Sequence, residues 1–240
     1  MMRRQWMSLG LALLLGALAA AAPANAEKRA LMVGINEYPF IDERYQLRGC
    51  ENDIRLMAKL LTTKFGFQEA NIQSLFSRQA TRDAIRRAFQ AHLIDKAQAG
   101  DMVLFYFSGH GSQIEDANGD ETDGLDETLV ASDVGPDSPD KEVLDDDIAG
   151  WIKALRQKGV QDLVFVFDSC HSGTATKDIL LDTGLSRPRY VEPFDILKRP
   201  LEAKEVPLGA VQRGTEQDAP DDVVVISGCK AEQQSNDANF

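Results

Sequence analysis

Met102–Gly111 reads MVLFYFSGHG: six apolar residues in a row, then a stop at Ser108-Gly109-His110-Gly111. Leu163–Gly173, LVFVFDSCHSG, repeats the plan with five apolar residues ahead of Asp168-Ser169-Cys170. Neither run alternates apolar with polar, so each is predicted to be a strand buried on both faces, as in a parallel sheet covered by helices. Further out, Arg29–Ile35, Asn71–Phe76 and Val223–Ile226 are strand-like. Helical spacing places Ile54, Met57, Leu60 and Leu61 on one stripe of Cys50–Phe65. Thr81 is a good N-cap for a helix with Ile85, Ala88, Phe89 and His92 on one face. Ile148–Lys158 is a third helix, opened by aspartates and stopped by Gly159. Strands alternating with helices mean an open, mostly parallel α/β sheet flanked by helices, an α/β/α sandwich. Ligands of such sheets bind beyond the carboxyl ends of the strands. If the two runs are neighbours, His110 and Cys170 arrive at one edge.

The chain has 240 residues, 43% of them hydrophobic, and a formal net charge of −12. That is enough apolar material for a core, which argues against wholesale disorder. An acidic balance disfavours nonspecific nucleic-acid or anionic-membrane partners. The excess is local: Glu115–Asp147 holds fourteen acidic residues and one basic residue, Lys141. Gly111–Asp147 reads as a long acidic loop, with a short strand at Glu127–Ser132. The amino terminus reads as an address. Arg3 and Arg4 precede an apolar run, Trp6–Ala22, and Ala24-Asn25-Ala26 suits signal cleavage, so residues 1–26 are expected to direct export. The arginine pair leaves the export route open, and a retained anchor is the alternative; the run is short for a spanning helix. Three cysteines (Cys50, Cys170, Cys229) do not make a disulfide framework, and a catalytic thiol is one reason to keep an unpaired one.

A thiol facing an imidazole is the minimum for a cysteine nucleophile, because the thiolate attacks and a nearby base favours it. The backbone N–H groups of Gly111 and Cys170 are placed to stabilise an oxyanion, and glycines beside both residues let a substrate backbone approach. His171 is the rival base, but immediate neighbours project in different directions. His92, on the apolar side of a helix, reads as a packed histidine. The alternative for the pair is a buried thiol and a loop histidine that never meet. Gly173–Asp222, rich in proline and charge, resembles a cleavable linker.

These motifs, with Leu47-Arg48-Gly49-Cys50-Glu51-Asn52-Asp53 ahead of the first helix, resemble the metacaspases, caspase-like cysteine peptidases. The resemblance runs over about Lys28–Asp178 and returns at Val223–Ala231. It implies a caspase-like fold with His110 and Cys170 as the catalytic dyad, and divides the chain into a signal peptide (1–26), a large-subunit region (27–178), a processing linker (179–222) and the start of a small-subunit region (223–240) that ends earlier than the family does. It implies cleavage after Arg or Lys, with Asp53 and Asp168 in an acidic S1 pocket beside Ser108 and Cys50; two carboxylates suit a bidentate guanidinium. It implies activation by calcium at Asp126, Asp145 and Asp146, with a fourth ligand near Lys177 or Asp178; clustered carboxylates supply the oxygens calcium needs. Asp116–Asp120 with Glu127 half-resembles an EF-hand loop, without its glycine at the sixth place. The expected protein is an exported, monomeric, calcium-stimulated endopeptidase acting on proteins or peptides. Self-cleavage is expected in the basic linker at Arg189 or Arg213, since prolines follow Arg187 and Arg199. The rivals are a noncatalytic caspase-like module that binds calcium or a partner, and a same-fold peptidase with another P1 preference. A Cys50–Cys170 bridge would switch the enzyme off.

Overall fold

A computed structural model describes residues 26–116, 124–170, 186–201, 223–227 and 236–238. Strands β1 (Lys28–Gly34), β2 (Ile72–Phe76), β3 (Met102–Ser108), β7 (Asp162–Asp168) and β9 (Val223–Ser227) form one sheet in the order β2-β1-β3-β7-β9. All four pairings are parallel. The two continuous apolar runs are central neighbours in it, with Phe105 opposite Phe165 and Ser108 opposite Asp168.

Alternation along the strands builds two cores. Leu31, Val33, Phe105, Phe107, Leu163 and Phe165 face one way, and meet Phe89, Leu93 and Leu155. Ala30, Met32, Leu104 and Tyr106 face the other, and meet Ile54 and Leu61. Helix α1 (Cys50–Lys64) therefore covers one face. Helices α2 (Arg82–Ala88) and α3 (Asp145–Gln157) cover the opposite one. Thr81 caps α2 as expected, accepting from the Ala84 N–H at 3.2 Å. Past Ala88 the helix widens to π geometry over Phe89–Ile94. Phe89 then stacks on Trp151 of α3 at 4.1 Å between ring centroids. His92 is buried, its Nε2 3.0 Å from the Asn71 carbonyl and 3.2 Å from that of Ala30, and burial lowers its pKa. It is a packing histidine, as expected.

The acidic stretch departs from expectation. Its described residues include a small antiparallel sheet, in which the expected short strand is joined by two more: β4 (Gly111–Glu115), β5 (Leu125–Val130) and β6 (Glu142–Leu144), in the order β4-β5-β6. Its charges did not prevent burial, because several are tied down. Asp133 accepts from the Arg82 N–H at 2.8 Å, and Asp147 faces both Arg82 and Arg86. Asp126 and Glu142 are buried outright. Residues 186–201, expected in a linker, form β8 (Ser186–Pro188) and α4 (Pro193–Leu197), and Tyr190, Val191 and Ile196 are buried. β8 pairs with β10 (Asn236–Ala238).

The end of β1 fixes how closely α1 approaches the sheet. A Cβ at Gly34 would lie 2.6 Å from the Cys50 carbonyl oxygen and 2.9 Å from Ile54. Gly34→Ala is therefore expected to push α1 outward and to destabilise the fold by about 1–3 kcal/mol, read as a lowered urea midpoint at unchanged slope.

Candidate active site

β3 and β7 end in register at Ser108 and Asp168, and the chain continues two residues beyond each to His110 and Cys170. The Gly109 N–H still donates to the Asp168 carbonyl at 3.3 Å, so the two strand extensions stay side by side. Both site residues are buried, His110 at 1% and Cys170 at 0% exposure.

The imidazole is held from three sides. The Tyr38 hydroxyl accepts the His110 backbone N–H at 2.8 Å, and the Tyr38 and Tyr45 rings flank the imidazole at 4.9 and 5.8 Å. His110 Nε2 lies 2.6 Å from the Tyr45 carbonyl oxygen. A carbonyl can only accept, so Nε2 carries the proton and Nδ1 is the basic nitrogen of the neutral ring. Gly109 serves this arrangement rather than a passing substrate: a Cβ there would lie 2.7 Å from the Tyr38 hydroxyl. Neither tyrosine was singled out by sequence, because residues 36–49 carry no periodicity.

Beside these two strand extensions lies a buried guanidinium. Arg189 Nη2 donates to Asp53 Oδ2 at 2.7 Å and Nη1 to Ser108 Oγ at 2.7 Å. Nη1 also pairs with the Asp168 carboxylate and donates to the Asp168 carbonyl at 3.1 Å. Ser108 Oγ in turn donates to Asp53 at 3.0 Å. Burial opposes the charge on Arg189, but Cys50, Asp168 and Asp53 together outweigh it and raise its pKa further. The four residues expected to form an S1 pocket thus surround one arginine. Asp53 reaches it from the first turn of α1, where a helix amino terminus also favours a carboxylate. Tyr106 was missed, although period-two spacing from Ser108 points it to the same face. Burial raises its pKa, with Asp168 and Asp53 adding to the effect.

The backbone of Arg189 is held as firmly as its side chain. Its carbonyl oxygen accepts from the Gly111 N–H at 3.0 Å and from the Cys170 N–H at 3.1 Å. These are the two donors expected to form an oxyanion hole. No disulfide joins Cys50 to Cys170. His171, Lys177, Arg213 and Cys229 lie outside the described residues.

The calcium residues are partly brought together. Asp126 lies two positions before the Thr128–Leu144 pair of β5 and β6, at the same end as Asp145 and Asp146. Among the described residues, however, no group of three or more His, Cys, Asp or Glu side chains is arranged to hold a metal ion. Asp178 and most of the half EF-hand lie outside the described residues.

Comparison with known proteins fits this arrangement. The metacaspase, peptidase C14 domain model matches residues 28–178. Metacaspase-1 of Pyricularia oryzae is 36% identical over 197 residues, covering 78% of this chain and 46% of that protein. Metacaspase-1B of Neurospora crassa is 32% identical, covering 90% and 56% respectively. The crystal structure of protein GSU0716 from Geobacter sulfurreducens superposes with a TM-score of 0.59 at 26% identity, over 89% of this chain and 77% of that one. A parallel α/β/α sheet with a cysteine and a histidine past adjacent strand ends is the caspase-like class. Within it, the chain belongs to the metacaspases, a family of cysteine peptidases. It spans about half the length of the curated relatives it matches.

At the start of β6 sits a carboxylic acid that burial makes unusually weak. Glu142 is 1% exposed; burial pushes its pKa from 4.5 up to about 8, against the hydrogen bond from Thr128 at 3.0 Å. The folded chain thus keeps a proton that the unfolded chain releases between about pH 4.5 and 8, so stability falls as pH rises through that window and levels above it. At roughly 1.4 kcal/mol per unit the effect is on the order of 4–5 kcal/mol. Glu142→Gln is expected to flatten the fall of melting temperature between pH 5 and 8 relative to the wild type.

Proposed function

We propose that the chain is a cysteine endopeptidase cleaving after arginine or lysine through Cys170 and His110, and that one of its substrates is itself. One observation carries this reading. The guanidinium of Arg189 lies between Asp53 and Asp168 while its carbonyl oxygen lies between the N–H groups of Gly111 and Cys170. Side chain and carbonyl are oriented together as a bound P1 residue requires, and the bond that follows is Arg189–Tyr190.

In this mechanism His110 Nδ1 takes the thiol proton of Cys170, and the thiolate attacks the P1 carbonyl carbon. The developing oxyanion stays on the Gly111 and Cys170 N–H groups, already 3.0 and 3.1 Å from that oxygen. His110 returns the proton to the leaving amine; water then hydrolyses the thioester and regenerates Cys170. The Tyr45 carbonyl keeps Nε2 protonated throughout and so fixes which nitrogen works. Specificity follows from charge: a P1 aspartate would bring a third carboxylate to Asp53 and Asp168. Arg189 is the self-cleavage site on this reading, while Arg199 instead pairs with Glu115.

Calcium is kept as an activator on the family resemblance and on the approach of Asp126 to Asp145 and Asp146, and no chemical step is routed through it. Export directed by residues 1–26 and a monomeric state are part of the same proposal; among the described residues no helix is long and apolar enough to cross a membrane. The reading is tested with Arg-, Lys-, Asn- and Asp-fluorogenic peptides, in calcium and in chelator. Turnover of the Arg and Lys peptides that is faster in calcium and absent in Cys170→Ala is expected. Preference for Asp would remove the acidic-pocket assignment, and equal rates in chelator would remove calcium.

A further inference from the structure

The residues after Arg189 are held by contacts separate from Asp53 and Asp168. The Val191 N–H donates to the Gly111 carbonyl at 3.0 Å, and Ser112 Oγ donates to the Val191 carbonyl at 2.9 Å. The segment therefore runs along the start of β4. Val191 is fully buried, and Tyr190 and Ile196 are nearly so. Pro193 opens the single turn of α4, which carries Asp195, six residues past Arg189, back over the Arg44–Tyr45 turn. There the Asp195 carboxylate accepts from the Tyr45 hydroxyl at 2.6 Å and from the Arg44 guanidinium at 2.5 Å. Tyr45 is half-buried, and that burial, with Asp195 adding to it, lifts its pKa to about 12, so its hydroxyl stays a donor. Through its carbonyl the same residue orients His110.

We propose that Arg44 and Tyr45 form a carboxylate receptor on the leaving-group side of the cut bond. It reads an acidic residue six positions after the P1 arginine, presented by a short helical turn. Its present occupant, Asp195, clamps the chain's own segment in the cleft. The proposal rests on the peptidase reading above and adds a second specificity element to it. External substrates of the preferred class carry arginine, an extended pair of residues, a turn and then Asp or Glu. The clamp has two effects of opposite sign. It holds Arg189–Tyr190 in register for cutting in cis, and it keeps short external peptides out of the pocket.

The opposite signs make the test. In the full chain, the first-order rate of Arg189–Tyr190 cleavage is followed by intact mass, and hydrolysis of a short Arg-fluorogenic peptide by fluorescence. Losing one charge-assisted hydrogen bond and one partly exposed ion pair in Asp195→Ala is expected to slow the first about fivefold and speed the second about fivefold. The exchange Arg44→Asp with Asp195→Arg is expected to restore both in part. A change of both rates in the same direction, as simple destabilisation would give, or of neither, overturns the proposal. Should the wild type show no Cys170-dependent turnover, the peptidase reading fails. The clamp is then read by hydrogen exchange at the Val191 amide, which is faster in Asp195→Ala if the receptor holds the segment and unchanged if it does not.

Discussion

A guanidinium at 5% side-chain exposure keeps its charge only where carboxylates replace the water it has lost, and Arg189 is such a group. Its partners come from separate parts of the chain: Asp53 from the first turn of α1, Asp168 from the end of β7, Ser108 from the end of β3. They converge only if β3 and β7 are adjacent and in register, and only if α1 packs close enough for Gly34 to touch the Cys50 carbonyl. The core geometry and the charge pattern of the cleft are therefore one constraint. Removing Asp53 or Asp168 alone would leave a buried charge short of a partner, which is costlier than never having had the pair.

The same adjacency places the two candidate side chains. Two residues past the paired ends stand His110 and Cys170, and the amides that begin the next turns, Gly111 and Cys170, point at one carbonyl oxygen. Both of these donors are backbone groups. Tyr38 and Tyr45 settle the imidazole, one through its hydroxyl and one through its carbonyl. The further link from Tyr45 to Asp195 ties the orientation of the His110 imidazole to the segment lying across the cleft.

Much of this was legible because continuous apolar strands leave little choice of architecture. Met102–Phe107 and Leu163–Phe167 announce a parallel sheet, and the polar residues that end them announce its edge. Asp53, Asp168, Ser108 and Cys50 were identifiable through family motifs, while their common partner, Arg189, stood out only as one of two candidate self-cleavage sites, with Arg213. The errors share a cause. Glu115–Asp147 reads as a solvated loop because its charge is counted by residue, yet Asp126 and Glu142 are buried and Asp133 and Asp147 are bound to α2. Its strands are three to six residues long, too short for periodicity to outweigh composition. Residues 186–201 read as linker on their prolines, but Pro193 opens a helix there. Burial by tertiary partners overrode both local signals.

If Arg189 occupies the cleft as a substrate does, the full chain cuts itself directly after it. The most direct measurement is the amino-terminal sequence of the fragment that appears when the purified full chain is incubated with calcium. A new chain beginning at Tyr190, absent from Cys170→Ala, is expected. A new terminus elsewhere, or the same cut in Cys170→Ala, would contradict it.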